Sequence, residues 1–407
     1  MAGNIHNYNN NSSSNPFEGL SQMPPGRYDV RFGRYTYTVT VRDNADQVNF
    51  NCPGRGASHG VNPNYNADNY NGIDVTVSLN NTPGLRTSTV TNRNEAMNLI
   101  AKEFNIQKPP TYIGYSLNGV DAVRMAGDYA KKHPNQRGMM AVAIEASTND
   151  SPKNMGISNE QRKALIDNDA LLLNVYNKDV PTRSITRGKN LDYYKGVHIL
   201  DIEVEFRDKN GKIISGKTGG HGIIDDWLFK SGISDLGSGN FDFNNLKTSF
   251  KDSNGNTYTV DLSKIVFREH YVDENGNYVS RKITLQEANS LLLMQLLKSK
   301  YLIDKDISKE DMEFYEALVA SNDVYLSNWL IQLYQEVNKL NTSDINISQS
   351  GNASVIEKEV ALAYKIDNIK YEVVNKFKTL LKEIAKAGLA YKEVDKDLEG
   401  QIIGGSR

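Results

Sequence analysis

Cysteine is almost missing from this chain. Cys52 stands alone among 407 residues, which excludes an intrachain disulfide and any site built from paired thiolates. A single thiol fits a reducing cytoplasm, or export without disulfide maturation. Long apolar runs are missing too. The longest, Leu291-Leu292-Leu293-Met294 continuing past Gln295 to Leu296-Leu297, falls far short of the ~20 residues that cross a bilayer. The opening Met1-Ala2-Gly3-Asn4 carries neither the basic nor the apolar region of a secretory signal, so any export is expected to follow another route. Charge of one sign is lacking: 47 Lys and Arg face 49 Asp and Glu, for a net charge of -2. No global field selects nucleic acid or an anionic membrane, and nucleic acid is not an expected partner. No glycine-rich phosphate loop followed by Lys and Ser/Thr occurs, and no His/Cys/Asp/Glu cluster has metal-ligand spacing, so neither cofactor nor metal is expected. Histidine is scarce, with six in the chain, which makes elimination among them feasible.

What is present reads as a hydrophobic pattern of two kinds. Residues 1–26 are rich in Asn, Ser and Pro and predict a disordered tail. Strands are expected at Arg34–Val41, Val48–Cys52 and Ile73–Leu79, followed by a helix over Asn94–Phe104. Met139–Ile144 and Ala170–Tyr176 are continuous apolar runs, as expected of strands buried on both faces, with a polar helix near 159–167 between them. Strands alternating with helices predict an α/β fold with a doubly wound, mostly parallel sheet. Three Asn-Gly dipeptides, at Asn210, Asn254 and Asn275, predict hairpins in a β-rich extension over about 200–283. From Thr284 the pattern turns helical. Leu362, Ile366, Ile369, Val373, Phe377, Leu380, Ile384, Ala387, Tyr391 and Val394 form one apolar stripe, predicting a long helix in a helical hairpin or coiled coil. The expected division is therefore a tail at 1–26, an α/β domain at 27–283 and an all-α domain at 284–400.

The chemistry concentrates at Thr111-Tyr112-Ile113-Gly114-Tyr115-Ser116-Leu117-Asn118-Gly119. A β-branched and aromatic run enters it and a helical pattern leaves it. A serine between small residues at such a switch is thrust out of the sheet above a helix N-terminus, which suits a nucleophile. Acyl transfer also needs a base, an acid to orient it and donors for the oxyanion, in the chain order Ser, acid, His. His6 lies in the tail, His59 and His133 precede or crowd the order, His198 sits in a strand and His270 in a hairpin arm. His221, flanked by Gly219-Gly220 and Gly222, remains as the base. Asp179, directly after strand Ala170–Tyr176, is the expected acid, with Asp150 as runner-up and Asp201 weaker. The oxyanion donors are expected from the Leu117 backbone N–H and from the Gly54-Arg55-Gly56 loop.

These residues together resemble the α/β-hydrolases of the lipase and esterase kind, over about residues 27–283. The resemblance implies that Ser116, Asp179 and His221 form a serine-hydrolase triad acting on acyl esters, with membrane phospholipid as substrate class. One departure stands out: the family places glycine two residues after the serine, and here that position is Asn118, with Gly119 next. Glycine serves there because backbone crowds at the turn, and Asn is the residue that next best tolerates positive φ. Rival expectations are an esterase or peptidase for a small soluble substrate, and a non-catalytic interaction protein on a degenerate hydrolase fold.

The helical C-terminal part carries Tyr391 and Asp395, four apart on one helix face. Residues about 285–398 resemble the LXG-like targeting modules of type VII secretion substrates, and the hydrolase-first order resembles the reverse-architecture type VII lipase toxins of staphylococci. That resemblance implies an export signal at Tyr391 and Asp395, small helical chaperone partners on the apolar stripe, an immunity protein, and a chain that is cytoplasmic before secretion.

Overall fold

The structure is a computed structural model and describes residues 5–8, 15–33, 35–43, 45, 47–52, 75–80, 87–134, 136–146, 156–178, 184–186, 188–214, 223–239, 241–252, 255–273, 275–301, 379 and 383. The chain divides into two compact units, Met1–Asp306 and Ile307–Arg407. The architecture below is that of the first.

Strands β1 (Ile5–Tyr8), β2 (Gly26–Phe32), β3 (Tyr35–Val41), β4 (Val48–Cys52) and β5 (Val75–Asn80) open the fold. Helix α1 (Thr87–Glu103) leads to β6 (Thr111–Tyr115), α2 (Leu117–Lys132), β7 (Met140–Ile144), α3 (Asn159–Asp167), β8 (Leu171–Asn177) and β9 (His198–Val204). Then come β10 (Phe206–Asp208), α4 (Ile223–Lys230), β11 (Ser249–Lys251), β12 (Thr257–Val260), β13 (Val266–Val272), β14 (Tyr278–Ile283) and α5 (Leu285–Tyr301). Eleven strands form one sheet in the order β1-β2-β3-β5-β4-β6-β7-β8-β9-β13-β14, while β10-β12-β11 make a separate antiparallel ribbon. From β5 across to β9 every neighbouring pair is parallel. The flanks are antiparallel at β2/β3, β3/β5, β9/β13 and β13/β14.

The alternation of side chains sorts the core into two layers. Tyr112, Ala141, Ala143, Leu172 and Ile199 pack under α1, α2 and α3. Their neighbours Ile113, Val142, Leu173, Leu200 and Ile202 pack on the other face under α4 and α5. This is why Met140–Ile144 and Leu171–Asn177 read as unbroken apolar runs: each has a helix layer on both sides. The order of winding also fixes where a ligand goes. The chain leaves β4 for β5 on one side, then crosses back through α1 to β6 on the other. The crevice beyond the carboxyl ends of β4 and β6 is the switch point of the sheet.

Three sequence expectations need correction. The Asn-rich start, expected as a tail over 1–26, supplies β1, which pairs in parallel with β2. Phe17 and Leu20 behind it are wholly buried against Tyr37 and the α1 side of the core. Their two apolar side chains were hidden in a polar composition that reads as unstructured. Strand β2 was likewise overlooked. Finally, the expected boundary at 283 cuts through a packed region: in α5, Ala288, Leu292 and Leu296 belong to the core beneath β7–β9, and the compact unit extends to Asp306. The hairpin expectations fared better. Gly276, at φ 78°, closes the β13–β14 turn, with the Asp273 N–H donating to Asn277 O at 2.9 Å. The long helix expected over the Leu362–Val394 stripe lies outside the described residues, Thr379 and Glu383 apart.

Candidate active site

Ser116 occupies the single residue between the end of β6 and the start of α2, with φ 56° and ψ -123°. An L-residue held there stores about 1–3 kcal/mol of backbone strain, and such strain survives only where its surroundings enforce it. Two hydrogen bonds and two close backbone approaches do so. The Ser116 N–H donates to Ile144 O on β7 at 2.9 Å, and the Gly119 N–H donates to Ser116 O at 3.0 Å. The turn is so tight that a Cβ on Gly114 would lie 2.0 Å from the Asn118 carbonyl oxygen. A Cβ on Gly119 would lie 2.9 Å from that of Ala146, just past β7. Ser116 is 5 % exposed at the C-terminal rim of the sheet, with the first turn of α2 starting at Leu117. The Leu117 N–H opens that helix, a position whose N–H lies beyond the reach of the intrahelical ladder and suits an anion.

The departure at Asn118 finds its physical reason here. Positive φ falls on Ser116, and Asn118 has ordinary helical backbone. The crowding that demands glycine falls at Gly114 and Gly119 instead. Asn118 is free to carry a side chain, and that side chain is buried against α1, where Arg93 Nη1 donates to its Oδ1 at 3.4 Å. Arg93 is wholly buried, 3.7 Å from an Asp121 carboxylate oxygen and 4.0 Å from Cys52 Sγ at the end of β4. Burial raises the Asp121 carboxyl above its ordinary range, opposed by Arg93 and Arg124. Burial likewise pushes the Cys52 thiol up to about 12, against the pull of Arg93.

Strand register places the remaining rim. Cys52, Gly114, Ala143, Asn174, Asp201, Arg268 and Lys282 form one continuous belt across the sheet. Two residues further on, the positions level with Ser116 are Glu145 and Tyr176. Glu145, with φ 43° and no exposed surface, is a buried acid beside the serine that sequence reading missed. The signal for it was thin: an acidic residue directly after an apolar strand.

Asp179, His221, Gly54, Arg55, Gly56 and the alternative Asp150 lie outside the described residues, as do Tyr391 and Asp395. The elements next to them in sequence are described. Strand β8 ends at Asn177, and the Lys178 N–H still donates to Val204 O at 2.9 Å. Helix α4 begins at Ile223. Strand β4 ends at Cys52, next to β6. Three of the histidines set aside in the sequence are engaged elsewhere. His198 Nε2 lies 2.8 Å from Glu269, His270 Nε2 lies 3.0 Å from Asp201, and His133 stacks on Tyr129 with its pKa lowered by burial. Asp201, weighed as a triad acid, is thus committed to His270. Among the described residues no cluster of metal-ligating side chains occurs, and no helix is long and apolar enough to cross a membrane.

No protein-family profile matches the chain, and no curated protein matches it in sequence. Among solved structures the chain is similar to an esterase from Pyrobaculum calidifontis, with 15% identity, a TM-score of 0.28, and coverage of 44% of this chain and 72% of the other. It is similar to a dienelactone hydrolase from Anabaena variabilis, at 14% identity and a TM-score of 0.26, covering 39% of this chain and 77% of that one. A carboxylesterase from Bacillus subtilis gives 12% identity and a TM-score of 0.25 over 39% of this chain and 76% of its own. At such scores the weight rests on the strained serine at the switch point of this chain's own sheet.

Proposed function

We propose that the first unit is a serine carboxylic-ester hydrolase. The observation that carries the reading is the backbone of Ser116, held at φ 56° and ψ -123° between a strand and a helix N-terminus. In this reading Ser116 Oγ attacks the ester carbonyl while His221 takes its proton. The tetrahedral oxyanion is stabilised by the Leu117 N–H and by donors in the Gly54-Arg55-Gly56 loop. His221 then protonates the leaving alcohol, and water repeats the cycle on the acyl-enzyme. Asp179 orients the imidazole, with Asp150 as the rival; whichever Asp→Asn substitution lowers kcat more identifies the acid.

The deciding experiment is labelling with a fluorophosphonate serine probe. Covalent modification at Ser116 is expected, together with a loss of ester hydrolysis on the order of 10^4-fold in Ser116→Ala. Retained turnover in that variant defeats the assignment. The finer reading, a lipase or phospholipase acting on membrane lipid, rests on the sequence resemblance. Hydrolysis of phospholipid vesicles supports it, and activity confined to short soluble esters supports the esterase alternative. Export through type VII secretion, as a toxin with helical chaperone partners and an immunity protein, rests on the same resemblance and on Tyr391 and Asp395. Tyr391→Ala is expected to block secretion while ester hydrolysis stays intact.

A further inference from the structure

A second site lies on the α1–α3 face of the sheet, away from β6, where β8, β9, β13 and β14 line a pocket of about 420 Å³. That volume is in the range of small-ligand sites. Its floor is a closed polar network. His270 Nδ1 lies 2.7 Å from the Tyr278 hydroxyl and Nε2 lies 3.0 Å from Asp201 Oδ2. Asp201 also accepts from Asn174 Nδ2 at 2.8 Å and from the Thr186 hydroxyl at 2.6 Å. Asp201 and His270 are 3 % and 5 % exposed, so both ring nitrogens and both carboxylate oxygens are spent inside the fold. On the β8–β9 side, Glu203 receives the Tyr176 hydroxyl at 3.4 Å.

The opposite wall is built differently. Arg268 on β13 and Lys282 on β14 are direct cross-strand partners, and both line the pocket. Their Cβ atoms are therefore about 5 Å apart, and like charges at that spacing destabilise a strand pair. Among the described residues neither has a hydrogen-bond or ion-pair partner, although carboxylates neutralise the neighbouring cation Arg281 on both sides. Ser280, one pair along on the same face, adds a hydroxyl donor.

We infer that this pocket binds a compact phosphate oxyanion, held by Arg268, Lys282 and Ser280. Both carboxylates of the lining are already engaged, Asp201 by His270, Asn174 and Thr186 and Glu203 by Tyr176, whereas the β13–β14 wall presents a hydroxyl and two cations with no ion pair of their own, Arg268 lying cross-strand between Asp201 and Lys282. A guanidinium can grip such an anion through two parallel N–H bonds, and the ammonium adds a point charge. The site is separate from Ser116: β9 lies three strand spacings from β6, about 14 Å. It stands whether or not Ser116 is a nucleophile. The phosphate can come as a free small molecule or as a lipid headgroup, and the two sources differ in experiment.

The test uses the full chain. Inorganic phosphate is titrated by calorimetry and by thermal melting, with chloride at matched ionic strength as control. Saturable binding is expected, with Tm rising about 2 °C at a tenfold excess over Kd. Arg268→Gln and Lys282→Gln should each weaken binding at least tenfold. Lys282→Glu places a carboxylate opposite Arg268. It should abolish binding while raising Tm in phosphate-free buffer, so a folding failure cannot pass for loss of the site. Sedimentation with phosphatidylcholine vesicles, with and without phosphatidic acid, separates the sources: capture only with phosphatidic acid, lost in Lys282→Glu, assigns the lipid headgroup. The inference is overturned if neither free phosphate nor phosphatidic acid binds, if chloride gives the same shift, or if Lys282→Glu binds like the parent.

Discussion

The sign of a glycine substitution reports how tightly the turn at Ser116 is built. On an exposed helix, Gly→Ala stabilises by about 1 kcal/mol. Gly119 lies in the first turn of α2, where the new methyl group would meet Ala146 at 2.9 Å. Gly119→Ala should therefore lower Tm and reduce kcat for ester hydrolysis by tenfold or more; a raised Tm with unchanged turnover would place Ser116 outside any strained elbow. The lone thiol gives a second check at this scale. Cys52 is wholly buried and its pKa is pushed up to about 12 by that burial. At pH 8 the folded chain should leave a disulfide reagent unreacted, and one thiol should titrate once guanidinium unfolds it. The strand-to-helix turn at Ser116 was legible in the sequence because the strand, the small residue and the helix pattern occur together. Arg93 was not: nothing in a polar helix distinguishes an arginine that turns inward from one that faces water.

At the scale of elements, the β9–β13–β14 corner is held by charge as well as by ladder bonds. Glu269 on β13 lies 2.8 Å from His198 on β9 and 2.7 Å from Arg281 on β14. Burial works to raise the Glu269 pKa, but its bonds to His198 and Arg281 prevail and hold it below the ordinary 4.5. A carboxylate whose folded pKa is depressed contributes stability in full above its unfolded value and loses it as pH falls through the folded one. Both partners are substantially exposed, so solvent screening limits the effect to about 1 kcal/mol. Glu269→Gln should cost about that much at pH 7 in urea unfolding, and the gap should close as pH drops below 4.5. A gap independent of pH would assign the loss to packing. The elements themselves were mostly readable. Strands β7 and β8 announce themselves by unbroken apolar runs, and the hairpin turns by Asn-Gly. Strand β1 was unreadable, since His6, Asn7 and Tyr8 become a strand only because β2 offers a ladder. The pocket over His270 was unreadable for the same reason: its residues come from four strands and the stretch between β8 and β9, which only the winding of the sheet brings together.

For the whole molecule, the boundary drawn from composition and the one drawn by packing differ, and the difference is testable. Helix α5 buries Leu292, Leu293 and Leu296, worth about 1.5–3 kcal/mol each. Gln295 Nε2 donates to Met139 O at 3.0 Å and Asp169 O at 2.5 Å, tying α5 to the loops before β7 and β8. Asn289 Nδ2 donates to Asp242 at 2.7 Å, and its Oδ1 accepts from the Phe243 N–H at 2.9 Å. Such a sum is comparable to the whole stability of a domain, about 5–15 kcal/mol. A chain ending at Asp306 should unfold cooperatively and keep ester hydrolysis, whereas one ending at Ile283 should aggregate on expression. Equal solubility of the two would show that α5 is an appendage.

The ends of the sheet govern how the molecule behaves among its own copies. One flank closes with the four-residue polar ribbon Ile5–Tyr8, and the other with β14, studded by Arg281 and Lys282. A bare strand is a template on which a neighbouring polypeptide can zip up, and short length and positive charge are how natural proteins blunt it. Crowding many copies together should therefore not nucleate fibres through these margins, even though the interior strands are as apolar as any amyloid-forming segment.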